Sequence, residues 1–170
     1  MSQTLAFFKK EKRFKEPYDI LLDGSFINWL LLNKRNRHHI AKALCGGNFH
    51  LVTTRCATQL QNDFKIHETK ALKDLHISHV SCSHKKKMSA VDCILSKVKD
   101  GNPDGFFVAT EDKQFVSHLQ EFYLVPTITC FGKGMVLRKP SDYQKEALAN
   151  EDVRENARGL RVGRRGLGPV

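Results

Sequence analysis

Short apolar runs alternate with amphipathic stretches along this chain, and this alternation predicts an α/β fold. Residues 18–22 are mostly apolar and are followed by Asp23 and Gly24, as is typical of a buried parallel strand that ends in a turn. Strands that alternate with helices build a parallel sheet covered on both faces, and such sheets bind ligands beyond the carboxyl ends of their strands. Similar apolar runs predict further strands at residues 49–54, 77–81, 106–110, 125–131 and 135–137.

The stretches between these runs have the spacing and the end signals of helices. Residues 88–99 are the clearest example, because Val91, Leu95 and Val98 share one helical face and Ser89 is a suitable N-cap. The same reasoning predicts other helices at residues 25–33, 36–45, 55–64, 68–75, 112–122 and 141–157.

Positive charge is concentrated at the two ends of the chain. The formal net charge of +10 and the pI near 9.5 favour a polyanionic partner such as nucleic acid, and a solubility-driven excess of lysine is the alternative. Residues 1–16 contribute five basic and two acidic side chains, and residues 154–170 contribute five arginines and one glutamate. We predict a basic N-terminal arm at residues 1–16, a domain at 17–140, and a C-terminal helix with a basic Gly/Arg-rich tail at 141–170.

Several classes of protein are not expected from this sequence. No apolar stretch approaches the roughly 18 residues of a membrane span, and the N-terminal apolar stretch is too short for a signal peptide. We therefore expect an intracellular protein whose five cysteines are reduced thiols or metal ligands. The segment Gly132-Lys133-Gly134 lacks the spacing and the Ser/Thr of a phosphate-binding loop, so nucleotide hydrolysis is not expected.

Three cysteines and a histidine have the composition of a structural zinc site. Cys56, Cys82, His84 and Cys93 supply a Cys3His set, which is one of the common structural zinc environments. The alternative is that Cys56 and Cys93 are buried apolar thiols and that His84 is an exposed side chain among lysines. Cys82 and His84 lie in a polar, lysine-rich connection, which favours the zinc interpretation. The remaining cysteines are expected in the core, at Cys45 and Cys130.

Three aspartates are candidates for a second, acidic site. Asp23 and Asp112 follow predicted strands, and Asp92 lies in a predicted helix. Carboxylates brought together at strand ends repel one another unless a divalent cation joins them, and Mg²⁺ or Mn²⁺ suits such oxygen ligands. Two such ions can activate water for phosphodiester cleavage. Taken singly, Asp23 and Asp112 are also ordinary helix N-cap residues.

At several places the sequence resembles the PIN domains of the small-subunit processome. The similarity is greatest to the zinc-bearing nucleolar PIN proteins that are paralogous to the processome's PIN endonuclease. It covers about residues 8–140 and is carried by the segments FKEPYDILLD (14–23), TTRCATQ (53–59), CSH (82–84), SAVDC (89–93), FVATED (107–112), VP (125–126) and MVL (135–137).

This resemblance implies a PIN-like three-layer α/β/α fold whose central parallel sheet carries an inserted Cys-Cys-His-Cys zinc site. It implies structural Zn²⁺ bound by Cys56, Cys82, His84 and Cys93. It also implies a nuclear, nucleolar protein that acts in early 18S rRNA maturation and snoRNA association. The expected partners are pre-rRNA, snoRNA and other small-subunit processome proteins, with no membrane partner and a monomeric state within the assembly.

Two positions depart from the pattern of active PIN nucleases. Gln59 and Gln114 stand where those enzymes carry acids, and a neutral amide neither balances the charge of a divalent ion nor holds it firmly. Asp23, Asp92 and Asp112 remain. We therefore predict a vestigial pocket that binds Mg²⁺ or Mn²⁺ weakly, and we assign no catalytic residue.

Three functions agree with this sequence, and a non-catalytic RNA-binding assembly factor is the preferred one. The second is an active metal-dependent endoribonuclease that uses Asp23, Asp92 and Asp112. The third is a protein-interaction module whose tails bind acidic processome proteins. In the preferred interpretation cationic side chains contact phosphates. The candidates are Lys85, Lys86, Lys87, Arg35, Arg37, Lys9, Lys10, Lys12, Arg13 and the arginines of the C-terminal tail.

Overall fold

A computed structural model gives the fold of residues 2–58, 70–82 and 84–152. Its centre is a six-stranded sheet in the order β3-β2-β1-β4-β5-β6. All neighbouring strands are parallel except β5 and β6, which form an antiparallel hairpin. The α/β class predicted from the sequence is therefore confirmed, with one antiparallel edge strand. The strands are β1 (Tyr18–Leu22), β2 (Phe49–Thr53), β3 (Ile77–His79), β4 (Phe107–Ala109), β5 (Thr127–Phe131) and β6 (Gly134–Leu137).

Helices connect these strands, and several begin at the N-cap residues that the sequence suggests. Ser89 and Asp112 each accept hydrogen bonds from backbone N–H groups of the first helical turn. In the predicted helix at 55–64, residues 55–58 form a turn and the other positions lie outside the described residues. The helices are α1 (Gln3–Phe8), α2 (Gly24–Leu32), α3 (Arg37–Ala43), α4 (Lys70–Asp74), α5 (Ala90–Val98), α6 (Lys113–Phe122) and α7 (residues 142–152).

The sheet buries both of its faces, because side chains of one strand alternate between two hydrophobic clusters. Ile20 and Leu22 of β1 belong to a cluster that also contains residues of α1, α2 and α3. Leu21, which points to the other face, packs with residues of α5 and α6, such as Ile94 and Leu119. Helices therefore cover the sheet on both sides, as expected for an α/β/α arrangement.

The basic N-terminal segment contributes to the core as well as to the charge. Leu5, Phe8 and Phe14 are almost completely buried against the main cluster. The Arg13 guanidinium lies over the Phe14 ring and its Nη2 is 2.7 Å from Glu151 Oε2. Residues 2–16 thus pack onto the domain, and part of their positive charge is paired within it.

Two further expectations have a structural outcome. The prediction that Cys45 is a core residue is wrong, because this cysteine is exposed and follows the end of α3 with a φ of +53°. Cys130 is half-buried and packs against the main hydrophobic cluster. Among the described residues, no helix is long and apolar enough to cross a membrane.

Candidate metal centre and carboxylate corner

Four side chains from three separate segments meet near the carboxyl ends of β2 and β3, and we call them the Cys/His cluster. Cys56 lies in the turn after β2, Cys82 and His84 lie in the connection after β3, and Cys93 lies on α5. Because β2 and β3 are parallel neighbours, the segments that follow them begin side by side. The potential ligand atoms of all four residues lie within 4.8 Å of one another. The structure therefore brings together the four residues that the sequence singles out.

The distances within this cluster fit a tetrahedral ion. The Cys82 sulfur is 3.9 Å from the Cys56 sulfur and 3.7 Å from the Cys93 sulfur. The His84 Nε2 atom is 3.6 Å from the Cys56 sulfur and 3.3 Å from the Cys93 sulfur. Bonds of about 2.3 Å to sulfur and about 2.0 Å to nitrogen place tetrahedral ligand atoms roughly 3.6–3.8 Å apart. The cluster can hold a metal ion with little rearrangement.

The His84 ring is oriented by the backbone. Its Nδ1 atom is hydrogen-bonded to the carbonyl oxygen of Lys86, which can only accept, so Nδ1 carries the proton. The Nε2 atom of this tautomer has a free lone pair and faces the cysteine sulfurs. Metal-binding histidines commonly use one nitrogen for the metal and the other for such a supporting hydrogen bond.

Burial and hydrogen bonding shift the pKa values of two thiols of the cluster in opposite directions. Burial raises the pKa of the Cys93 thiol to about 12. Burial also disfavours ionisation of Cys82, but hydrogen bonds from the Cys56 backbone and from the Cys93 thiol outweigh it and lower the pKa of Cys82. Several thiolates this close together repel one another, so full ionisation requires a cation in their midst.

A second group of polar side chains lies at the carboxyl ends of β1 and β4, and we call it the carboxylate corner (Asp23, Ser25, Thr110 and Asp112). Asp23 is 6 % exposed. Its Oδ1 accepts hydrogen bonds from the Phe26 N–H at 2.8 Å and the Ser25 hydroxyl at 2.7 Å, and its Oδ2 accepts one from the Thr110 hydroxyl. Protein donors therefore satisfy both oxygens of this carboxylate.

Burial raises the pKa of Asp23, and the nearby charge of Asp112 raises it further, while the three hydrogen bonds oppose this shift. Asp112 itself caps α6, because its Oδ1 accepts from the N–H groups of Gln114 and Phe115 at 3.0 and 3.1 Å. The Asp112 N–H in turn donates to the Thr110 hydroxyl oxygen at 3.1 Å. Thr110 thus links the two aspartates.

The third predicted acid lies elsewhere. Asp92 is exposed in the first turn of α5, next to the buried Cys93. Within residues 2–58, 70–82 and 84–152, the Cys/His cluster is the one group of three or more potential metal ligands with all ligand atoms within 4.8 Å. The three aspartates do not form a comparable group. Gln114 is exposed, and Gln59 lies outside the described residues.

Sequence reasoning missed two hydroxyl residues of this corner, Ser25 and Thr110, which donate to Asp23. The Glu111 N–H donates to the Ser25 hydroxyl oxygen at 3.2 Å. Burial, followed by the charges of Glu111 and Asp23, raises the pKa of Cys130 to about 12, so both acids act on this thiol. The available signal was a hydroxyl residue close to each strand end, because Thr110 directly follows β4 and Ser25 is the third residue after β1.

The predicted phosphate contacts fall into two groups. Arg37 donates to the carbonyl oxygens of Leu75 and Phe49 at 2.9 and 3.2 Å and lies over the Phe49 ring, so its guanidinium holds the domain together. Arg13 is likewise paired with Glu151, and Lys9 Nζ is 3.9 Å from Glu16. In contrast, the lysines directly after His84 are exposed, namely Lys85, Lys86 and Lys87.

The fold and the corner define a PIN-like α/β domain. The structure is similar to a solved structure of the PIN domain endonuclease Utp24, with a TM-score of 0.64 and 22 % sequence identity across 76 % of this chain and 97 % of that chain. The chain is also 27 % identical to the rRNA-processing protein FCF1 of Saccharomyces cerevisiae over 146 residues, which is 82 % of this chain and 74 % of the yeast protein.

The sequence comparison also gives the family. The Fcf1 family model matches residues 43–139, which is 97 of the 170 residues. This protein belongs to the Fcf1 family.

Proposed function

We propose that this protein is an RNA-binding factor of the small-subunit processome that acts in early 18S rRNA maturation and associates with snoRNA. Membership of the Fcf1 family and the similarity to a yeast rRNA-processing protein support a role in ribosome biogenesis. The net charge of +10 supports a polyanionic partner. We expect the protein to reside in the nucleolus, to contact pre-rRNA, snoRNA and other processome proteins, and to be monomeric within that assembly.

We further propose that the Cys/His cluster binds a structural Zn²⁺ ion. The support is the Cys3His donor set at tetrahedral spacing and the orientation of His84 by the Lys86 carbonyl. When bound, zinc cross-links the segments after β2 and β3 to α5. The connection that carries Lys85 to Lys87 is then held against the domain, which fixes these exposed lysines for contact with phosphates.

We also propose that the carboxylate corner does not cleave RNA. The observation that carries this proposal is the set of three hydrogen bonds from protein donors to the buried Asp23 carboxylate. A carboxylate satisfied in this way gains less from a divalent ion than one that faces solvent or other acids. The exposed Asp92 and the neutral Gln114 add little ligand strength, so Mg²⁺ or Mn²⁺ is expected to bind weakly.

One observation favours the alternative of a metal-dependent endoribonuclease that uses Asp23, Asp92 and Asp112. Asp23 and Asp112 remain neighbours at the carboxyl ends of β1 and β4, and the charge of Asp112 acts on Asp23. Ligand sites of parallel sheets lie at this edge.

Direct binding and cleavage assays with one variant separate the two functions. We expect wild-type protein and Asp23→Asn to bind single-stranded RNA with the same affinity, which decreases as the salt concentration rises. Neither protein should cleave a labelled RNA in the presence of Mn²⁺. Cleavage by the wild-type protein that Asp23→Asn abolishes would establish the endoribonuclease instead. If purified protein binds no RNA even at low salt, the interaction-module function gains support.

A further inference from the structure

The side of the sheet that ends at β6 carries a groove that neither the Cys/His cluster nor the carboxylate corner uses. A cavity of about 460 Å³ lies between α3 and the β5–β6 turn, and a second of about 630 Å³ continues along β6. Both cavities are lined by Lys42, Ala43 and Met135, so they form one continuous depression, which we call the α3/β6 groove.

Cationic side chains line both walls of this groove. Arg35 and Lys42 lie on the α3 side, and Lys133, Arg138 and Lys139 lie on the β6 side. None of its lining residues in the described part of the chain is acidic. The walls therefore present positive charge that no carboxylate of the groove compensates.

A third cavity, on another side of the domain, has the opposite charge pattern. The cavity of about 420 Å³ between α5, α6 and α7 is lined by Asp100, Glu146 and Glu151, and by no lysine or arginine among the described residues. Arg13 pairs with Glu151, but Asp100 and Glu146 still make this cavity acidic, in contrast to the basic groove beside β6. Such separation steers a polyanion to one surface.

Positively charged groups lie close to one another on the α3 side of the groove. Arg35 Nε is buried and has no hydrogen-bond partner among the described residues, while Arg35 Nη1 is 3.2 Å from His39 Nε2. Desolvation, followed by the positive charges of Arg35, His38 and Lys42, lowers the pKa of His39. An anion in the groove would offset the mutual repulsion of these positive charges.

The topology also sets the direction of the groove. Strand β5 is parallel to β4, and β4 is parallel to β1. The turn with Lys133 therefore lies at the carboxyl ends of the parallel strands, as Asp23 does. Strand β6 is antiparallel to β5, so Arg138 and Lys139 lie towards the amino ends of the parallel strands. At about 3.3 Å per residue, Lys133 and Lys139 are about 20 Å apart. The groove runs along β6 towards the carboxyl ends of the parallel strands, where the carboxylate corner lies.

We propose that the α3/β6 groove binds the sugar–phosphate backbone of single-stranded RNA. This inference rests on the proposed RNA-binding function and names the surface that carries it. A groove walled by a helix and a strand admits one chain of phosphates between cations on both sides, whereas a duplex reaches only its rims. Electrostatic grooves of this kind bind single strands with little sequence preference and with strong salt dependence.

The test compares two triple variants that remove the same charge. The groove variant is Lys42→Ala, Lys133→Ala and Lys139→Ala, and the control variant changes three other exposed lysines to alanine, Lys73, Lys99 and Lys145. Fluorescence anisotropy with a labelled single-stranded RNA gives the affinity over a range of salt concentrations. Three lost phosphate contacts should reduce the magnitude of the log–log salt slope by about 2, since each contributes about 0.7. The control should keep the wild-type slope.

Five outcomes decide between the possibilities, once thermal unfolding shows that both variants are folded. A slope that changes in the groove variant alone supports the proposal. Equal changes in the two variants would show a general charge effect and overturn it. The proposal also fails if the groove variant behaves like wild type while alanines at Lys85, Lys86 and Lys87 reduce the slope, or if a duplex of the same sequence binds more tightly. Wild-type protein without RNA affinity would instead remove the proposed function itself.

Discussion

The Cys/His cluster and the carboxylate corner both lie at carboxyl ends of neighbouring strands, yet they differ in what satisfies their polar atoms. In the cluster, the thiols of Cys56, Cys82 and Cys93 mainly face one another and the Nε2 atom of a histidine. In the corner, Asp23 accepts three hydrogen bonds from protein donors. The cluster therefore has the donor set and spacing of a metal site, whereas protein donors already satisfy the carboxylate of the corner.

Similar positions in one sheet can therefore serve structure or chemistry, depending on whether hydrogen-bond donors of the protein satisfy their polar atoms. A group of thiols that binds a metal ion gains a large free energy from it, because ion and fold stabilise each other. A carboxylate already held by hydrogen bonds is stable without metal and is correspondingly poor as a metal ligand. Removing one group from each site tests this comparison directly.

The largest effect is expected from Cys82→Ser. If the cluster binds zinc as proposed, loss of one ligand should abolish zinc binding and lower the free energy of unfolding by about 4 kcal/mol or more, a size typical of lost metal sites. Metal analysis of the purified protein and urea denaturation measure the two quantities. Cys45→Ser is the matched control, because Cys45 is exposed and outside the cluster. Equal zinc content in both variants would contradict the assignment.

Removal of the metal should resemble this substitution. A strong chelator is expected to lower the melting temperature of the wild-type protein by about 10 °C, since 1 kcal/mol corresponds to roughly 2–4 °C at this size. The Cys82→Ser variant, already without metal, should show no further decrease. Differential scanning fluorimetry with and without chelator measures both shifts, and a wild-type protein insensitive to chelation would show that the cluster is stable without an ion.

A smaller loss is expected from Thr110→Val in the carboxylate corner. The change keeps the shape of a fully buried side chain but removes the donor to Asp23 and the acceptor for the Asp112 N–H. Leaving buried polar groups unpaired costs about 1–3 kcal/mol. Thr127→Val is the control, because that buried hydroxyl only donates to the nearby Val125 carbonyl. If the two variants lose the same free energy of unfolding in urea denaturation, Thr110 has no special role in the corner.

Much of this architecture was predictable because local signals and tertiary structure agree. Ser89 and Asp112 are residue types that commonly cap helices, and each stands at the start of a predicted helix. Both cap a helix in the structure. The cluster was predictable because cysteine and histidine are chemically distinctive and because parallel strands bring the segments after them together. The prediction that Cys45 is a core residue was wrong because α3 ends two residues before it and a left-handed turn directs its side chain to solvent.

Other features depend on the order of strands, which the sequence pattern does not contain. Thr110 meets Asp23 only because β4 lies beside β1 in the sheet. The same holds for Arg37, whose partners lie on β2 and at the end of α4, so that a residue predicted to contact phosphate stabilises the fold. Basic residues can be counted along a chain, but their partners are visible only in three dimensions.

The smallest effect, a pH-dependent change in stability, is expected from Asp23→Asn. Burial raises the pKa of Asp23 in the folded state above its ordinary value of 3.8. A carboxyl with a raised folded-state pKa contributes its full stability below the unfolded-state pKa and loses it as the pH rises through the folded-state pKa. The neutral asparagine does not titrate, so the stability of the variant relative to wild type should rise by about 1 kcal/mol between pH 4 and neutrality, on top of a pH-independent cost of losing the oxygen that accepts from Thr110.

Urea denaturation of both proteins between pH 4 and neutrality measures this prediction, with Asp104→Asn as an exposed control. The difference between Asp23→Asn and wild type should grow with pH and level off above the folded-state pKa, while the control shows no such trend. Repeating the denaturation with added Mn²⁺ tests whether the carboxylate corner binds a divalent ion. If Mn²⁺ stabilises the wild-type protein strongly and leaves Asp23→Asn unchanged, the corner requires a cation as the cluster does, and the contrast between them is wrong. If Mn²⁺ changes neither protein, hydrogen bonds alone account for the corner.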